Sequence, residues 1–238
     1  MSLGPGTRAR IGQLYPSGGI CDYEVQLMAP DGVQFLTTRV PFERTGVADD
    51  LRFANAVLEH SDLLAHARVD LIAVNCTAAT MMAGSAHLTE AVTRRTGTPA
   101  VTTIDAVLAA LREVGMRRPA LVTPYVAEVV LAETAFLAGH GIEVVRTGGR
   151  PCETPVEQGS ITAEEWVSIA GEVRTDDVDG ILVSCAGVQI APVIARLEEL
   201  TGLPVVTSNQ ALLWWVLRTL RIDADVDGYG CLFRTQDR

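Results

Sequence analysis

Two cysteines stand at matching places in an internally repeated chain: Val69–Cys76 reads VDLIAVNC and Val178–Cys185 reads VDGILVSC. Each cysteine closes a short apolar run, where a buried strand hands over to a loop. Two further blocks recur in the same order, Arg10–Pro16 (RIGQLYP) with Arg118–Pro124 (RPALVTP) and Thr96–Thr102 (TGTPAVT) with Thr201–Thr207 (TGLPVVT). The offsets are 109, 108 and 105 residues, so the halves drift by only a few positions. A repeat of this kind sets the architecture. If the halves pack about a pseudo-twofold axis, Cys76 and Cys185 face each other across the cleft, as an acid/base or nucleophile pair. A lone free cysteine is most often a small buried hydrophobe; the matched pair favours chemistry.

Small residues follow both thiols, Thr77 and Ala78 after Cys76, Ala186 and Gly187 after Cys185. They let backbone N–H groups approach a carboxylate or a developing oxyanion. The same groups are expected to lower the thiol pKa. Ser17, Gly18 and Gly19 leave the first block, and Tyr125 leaves its counterpart, which makes Ser17 and Tyr125 symmetry mates placed to hydrogen-bond an anion between the halves. Thr103 and Ser208 end another matched pair of strands and read as caps of the helices that follow. Cys21, Cys152 and Cys231 have no matched partner and read as incidental thiols, although Cys21 follows the PSGG loop and could line the cleft.

The elements that must position these residues are legible as short apolar runs alternating with helical patterns, the mark of a parallel sheet covered on both faces. Strands are expected at 11–15, 34–39, 70–74, 100–102, 120–122, 143–146, 180–184 and 205–207. Helices are expected at 50–65, 87–95, 105–114, 126–138, 163–173, 190–199 and 210–220. Thr162 and Glu165 form a capping-box pattern; Gly97, Gly115, Gly139 and Gly202 stand where helices should stop. Residues 148–160 read as the longest loop, bordering the cleft, and the tail from Asp223 as returning to the first half. The fold class is α/β: two pseudo-symmetric doubly wound parallel-sheet halves, 1–115 (with part of the C-terminal tail) and 116–238, with the active site in the cleft between them. Ligands in such sheets bind beyond the carboxyl ends of the strands, where both cysteines fall.

Composition removes several classes of chemistry. The chain of 238 residues has no lysine; all 19 basic residues are arginine. Schiff-base and pyridoxal-phosphate chemistry and the P-loop are therefore excluded. His60, His66, His87 and His140 show no metal-ligand spacing, and neither a G-x-G-x-x-G strand turn nor a G-x-S-x-G elbow occurs. The net charge of −10, without a basic cluster, argues against a nucleic-acid partner. No apolar run reaches a membrane span, and the opening MSLGPGTRAR lacks the apolar stretch of a secretory signal. Five scattered cysteines point to a reducing cytoplasm. The acidic pairs, Asp49–Asp50 among them, read as solvated faces. The apolar helix around 211–217 hints at a homo-oligomer, a dimer or larger, or else at core.

With these residues in place, the chain resembles the aspartate/glutamate racemase superfamily, most nearly maleate cis-trans isomerase and arylmalonate decarboxylase. The resemblance runs from RIGQLYPSG through VNCTAA, ALVTPY and DGILVSCAG to GYGCLF. It implies a cofactor-independent, metal-independent enzyme acting on a small carboxylate between two α/β halves. Arylmalonate decarboxylases keep only the second-half cysteine, here Cys185, as proton donor; Cys76 places this chain with the two-cysteine branch. Tyr125 resembles the substrate-binding tyrosine of maleate isomerases. One departure is Gly19, where those isomerases carry a carboxylate-binding asparagine. The SCAG stretch at 184–187 is also similar to hydantoin racemases. Four readings follow: a cis-trans isomerase with Cys76 as nucleophile and Cys185 as acid/base, a two-base amino-acid or hydantoin racemase, a decarboxylase using Cys185, and a non-catalytic small-molecule binding protein.

Overall fold

A computed structural model of the chain describes residues 4–237. Its first four strands, β1 (Ala9–Pro16), β2 (Val33–Val40), β3 (Leu71–Val74) and β4 (Ala100–Thr102), form a parallel sheet in the order β2-β1-β3-β4. The second four, β5 (Pro119–Val122), β6 (Arg146–Gly148), β7 (Gly180–Val183) and β8 (Val205–Thr207), repeat that order as β6-β5-β7-β8. The repeat read from three sequence blocks is thus a repeat of whole sheets.

Ten α-helices among the described residues connect and cover these strands: α1 (Glu24–Met28), α2 (Val47–His66), α3 (Thr77–Ala83), α4 (Ser85–Thr96), α5 (Thr103–Glu113), α6 (Ala127–Gly139), α7 (Pro155–Gly159), α8 (Ala163–Val173), α9 (Ile194–Thr201) and α10 (Ser208–Thr219). A strand covered on both faces needs no apolar/polar alternation, and β3 shows why. Leu71 and Ala73 join the large core that runs through both halves, whereas Ile72 and Val74 join a smaller cluster with Phe53, Val57 and Leu64 of α2. Burying one such side chain contributes about 1.5–3 kcal/mol.

Helices α5 and α10 are symmetry mates and pack on each other. Residues Ala211–Leu217 are therefore core of this contact, with Trp214 2% exposed, rather than a free oligomer face. Each helix begins directly at a strand end, and the cap lies one residue earlier than the sequence reading placed it. The Thr102 hydroxyl accepts the Asp105 N–H, and that of Thr207 accepts the Gln210 N–H. Such caps contribute about 1 kcal/mol each and leave Thr103 and Ser208 free for other partners. Gly97 and Gly202, also symmetry mates, close α4 and α9 in the left-handed conformation. Gly139 instead ends α6 within the helix, and the positive φ falls at Gly141.

Three short helices depart from the expected pattern. α7 lies inside the stretch read as loop, set by the capping box Thr154–Glu157; α1 and α3 follow loops after β1 and β3. The edge strand β6 runs three residues later than expected: Arg146, not Glu143, pairs with Ala120 at its start. The tail does return to the first half, the Tyr229 hydroxyl donating to the Leu27 carbonyl at 3.2 Å. No helix among the described residues is long and apolar enough to cross a membrane.

Candidate active site

A small cavity of about 30 Å³ lies between the carboxyl ends of the two sheets. Cys76, Thr77 and Ala78 line it from the first half, and Tyr125, Cys185, Ala186 and Gly187 from the second. Gly19 also reaches the wall. Ser17 and Gly18 do not: the Ser17 hydroxyl accepts the Phe42 N–H at 3.0 Å, and the Gly18 N–H donates to the Phe42 carbonyl at 3.0 Å. The pairing of Ser17 with Tyr125 therefore fails in space, because the first loop folds back on the segment after β2. A Cβ on Gly19 would meet the Tyr15 ring at 2.5 Å. That ring, whose hydroxyl donates to the Ala186 carbonyl at 3.2 Å, occupies the space a larger residue would need.

Cys76 ends the apolar β3 run and is the extended N-cap residue of α3 (φ −151°, ψ 109°). The first N–H groups of a helix have no intrahelical acceptor, so those of Thr77 and Ala78 are available at the cavity wall. Cys185 follows β7 in the matching place. The Gly187 N–H donates to its Sγ at 3.2 Å, and its thiol faces Gln158 Oε1 at 3.6 Å. Burial nevertheless outweighs these donors. Desolvation pushes the Cys185 thiol up to about 12, against the opposing Gly187 N–H and Tyr125 hydroxyl. It pushes Cys76 well above the ordinary thiol range, helped by the nearby Asp50 carboxylate. The expected lowering by backbone N–H groups is thus corrected: in the closed cavity both thiols hold their protons, because the donors do not replace the lost water.

A buried polar network behind the cysteines was missed by the sequence reading. Asn75 Nδ2 donates to Gln13 Oε1 at 2.9 Å and to Asn209 Oδ1 at 3.2 Å, while its own Oδ1 accepts the Thr103 hydroxyl at 2.8 Å. Asn209 Nδ2 continues to the Ala186 carbonyl at 3.0 Å and to Glu24 at 3.2 Å. Glu24 in turn accepts the Ile190 and Ala191 N–H groups, the latter at 2.8 Å, so α1 of the first half anchors the loop after Cys185. The signal was present: VNC and VSC each place one polar residue in an apolar run. Ser184, the mate of Asn75, donates to Glu133, a carboxyl pushed up to about 8 by burial, whose second oxygen has no partner.

Ser208 joins the two thiol segments. Its Oγ accepts the Thr77 hydroxyl at 2.8 Å and the Cys185 N–H at 3.1 Å. Ser208→Ala leaves that buried N–H unpaired, and the expected loss is about 1–3 kcal/mol of stability, measured by chemical denaturation with the fold confirmed by circular dichroism.

The remaining wall is largely apolar, with Phe42, Val126, Val129 and Pro155, and no arginine or histidine among the described residues lines it. The arginines nearest the first loop are committed elsewhere, Arg39 to Asp22 and the Ser17 and Gly19 carbonyls, Arg44 to Glu153. Among the described residues the wall therefore carries no cationic side chain. Asp50, read from the sequence as part of a solvated face, is buried and lines the cavity, because α2 starts earlier than expected and turns this position inward. Cys21 lies outside the wall beside the Gly159 carbonyl; Cys152 and Cys231 are also outside it. All five cysteines are free.

Two parallel α/β halves that line one cavity at their facing strand ends define a two-lobed α/β class. The comparisons place the chain within that class. A family model described as arylmalonate decarboxylase matches residues 15–233. The arylmalonate decarboxylase of Bordetella bronchiseptica is 33% identical over 187 residues, covering 75% of this chain and 77% of that protein. A maleate isomerase of Pseudomonas putida is 26% identical over 247 residues, covering 94% and 96%. The crystal structure of a Pseudomonas putida maleate isomerase superposes with a TM-score of 0.86 at 26% identity, covering 94% of this chain and 98% of that one. The chain belongs to the arylmalonate decarboxylase family, and these relatives support isomerase or decarboxylase activity.

Proposed function

We propose that this protein is a cofactor-independent isomerase of a small carboxylate, acting on a maleate-type cis-enedioate with Cys76 as nucleophile and Cys185 as acid/base. The observation that carries the reading is that one cysteine from each half lines a single cavity. Cys76 sulfur adds to the double bond, and the displaced electron pair passes into the adjacent carboxylate as an enediolate. Thr77, Ala78 and Ala186 offer backbone N–H groups, and Tyr125 a hydroxyl, where that charge develops, while the Gly187 N–H serves the Cys185 sulfur. Burial keeps the Tyr125 hydroxyl protonated, so it acts as a donor. Cys185 gives a proton to the carbanion carbon and takes it back. Rotation about the new single bond and expulsion of sulfur give the trans product. This is covalent catalysis coupled to acid–base catalysis.

One observation favours a second reading. The apolar wall of Phe42, Val126, Val129 and Pro155 suits an aryl group, so decarboxylation of an arylmalonate with Cys185 as proton donor is the alternative. Incubating Cys185→Ser with maleate tests the first reading. Intact mass should rise by one maleic acid, on a peptide containing Cys76. No adduct, or an adduct elsewhere, contradicts the role of Cys76.

A further inference from the structure

Although they are symmetry mates, the two cavity thiols have different neighbours. Cys185 meets an amide, a backbone N–H and a tyrosine hydroxyl, none of them a base; the Glu133 carboxyl acts on it only through space and is hydrogen-bonded to Ser184 outside the cavity wall. The Cys76 thiol instead faces a carboxylate, its Sγ 3.9 Å from Asp50 Oδ1. Asp50 is 3% exposed and is the one carboxylate among the residues that line the cavity. Its neighbour Asp49 pairs with Arg52, whereas Asp50 has no ion-pair partner among the described residues. The backbone that carries Asp50 is held in place. The Asp50 N–H donates to the Gly46 carbonyl at 3.0 Å in the first turn of α2, and Glu128 of α6 accepts the Val47 N–H at 3.1 Å, fixing the helix start to the other half.

We propose that Asp50 is the proton acceptor for the Cys76 thiol, and that its presence beside one thiol alone makes Cys76 the nucleophile and leaves Cys185 the acid. The inference rests on the reading of Cys76 as nucleophile. As the sulfur lone pair forms the S–C bond, the Sγ–H proton passes to Asp50 Oδ1 and the π pair moves to the neighbouring carbon; expulsion of sulfur runs these shifts in reverse. No redox change is involved. The proton affinity suits the task. Burial, with the charges of Asp49 on the same helix and Glu128 on α6, raises the Asp50 carboxyl to about 7. The other titratable groups facing it are Cys76 and Tyr125, both held protonated by burial.

Alkylation of Cys76 by iodoacetamide, followed by peptide mass spectrometry in the Cys185→Ser protein, tests this without any substrate. The rate should rise with a half-point near the Asp50 value of about 7. Asp50→Asn should lower the rate at about pH 7.5 by at least about tenfold and move the half-point into the range of an unassisted buried thiol. A carboxylate that merely repels the thiolate gives the opposite sign, so an increased or unchanged rate in Asp50→Asn overturns the proposal. If Asp50→Asn does not fold, the unsubstituted Asp50 profile decides alone: a single half-point above the ordinary thiol range overturns it. Failure to turn over maleate, with the alkylation profile as expected, would count against the isomerase reading and not against the Asp50–Cys76 pair.

Discussion

Cys76→Ala is expected to remove isomerisation, a loss of at least about a thousandfold, while leaving the fold intact. Cys185, the other thiol on the wall, is the proton donor and has no base beside it; Cys21, Cys152 and Cys231 lie outside the wall, and the chain contains no lysine. Cys185→Ala should be comparably severe, because Cys76, the other thiol on the wall, is bonded to the substrate when the proton is needed. Steady-state rates for the two variants, with melting curves as a folding control, check this. The pattern also separates the readings. A two-cysteine isomerase or racemase loses activity in both variants, whereas a decarboxylase that draws its proton from Cys185 keeps substantial activity in Cys76→Ala.

The second large effect concerns stability. Glu133 is wholly buried beneath Ser184, and its carboxyl is raised from the ordinary 4.5 to about 8 by desolvation. Below about pH 4.5 it is protonated whether folded or unfolded and costs nothing. Between 4.5 and 8 the unfolded chain releases the proton while the folded protein keeps it, so stability falls as pH rises, by a few kcal/mol in total. Above the folded value the loss levels off. Glu24 and Asp50, each raised to about 7, contribute in the same direction. Glu133→Gln removes the titration but places unpaired N–H donors where one oxygen already lacks a partner, at a cost of about 1–3 kcal/mol. The variant should therefore be less stable than the unsubstituted protein at about pH 5 and more stable at about pH 9. Denaturant melts at both values check this; a difference of the same sign and size at both would contradict it.

The paired cysteines, the repeat of two parallel α/β halves and most long elements were legible because each rests on a local signal. VDLIAVNC and VDGILVSC are apolar runs that can only be strands buried on both faces, and their ends fix where a ligand goes. The edge strand β6 was misplaced because its side chains are largely exposed: Val144 and Val145 carry the apolar signal but precede the ladder, which Arg146, Thr147 and Gly148 form. Helix α7 could have been read from the T-x-x-E pattern of Thr154 and Glu157. Ser17, Asp50 and Ser208 were misread for a different reason. Their roles depend on long-range packing: the first loop folding onto Phe42, the inward turn of α2, and the meeting of α10 with the start of α3. Thiol acidity was likewise illegible, because the helix N-terminus can be read from sequence whereas the depth of burial that outweighs it cannot.

Proton NMR of the protein with maleate in D₂O, run beside Cys76→Ala and Cys185→Ala, tests the two-cysteine account most directly. The account predicts fumarate from the unsubstituted protein and none from either variant. Maleate left unchanged by the unsubstituted protein, or fumarate still formed by Cys76→Ala, would contradict it.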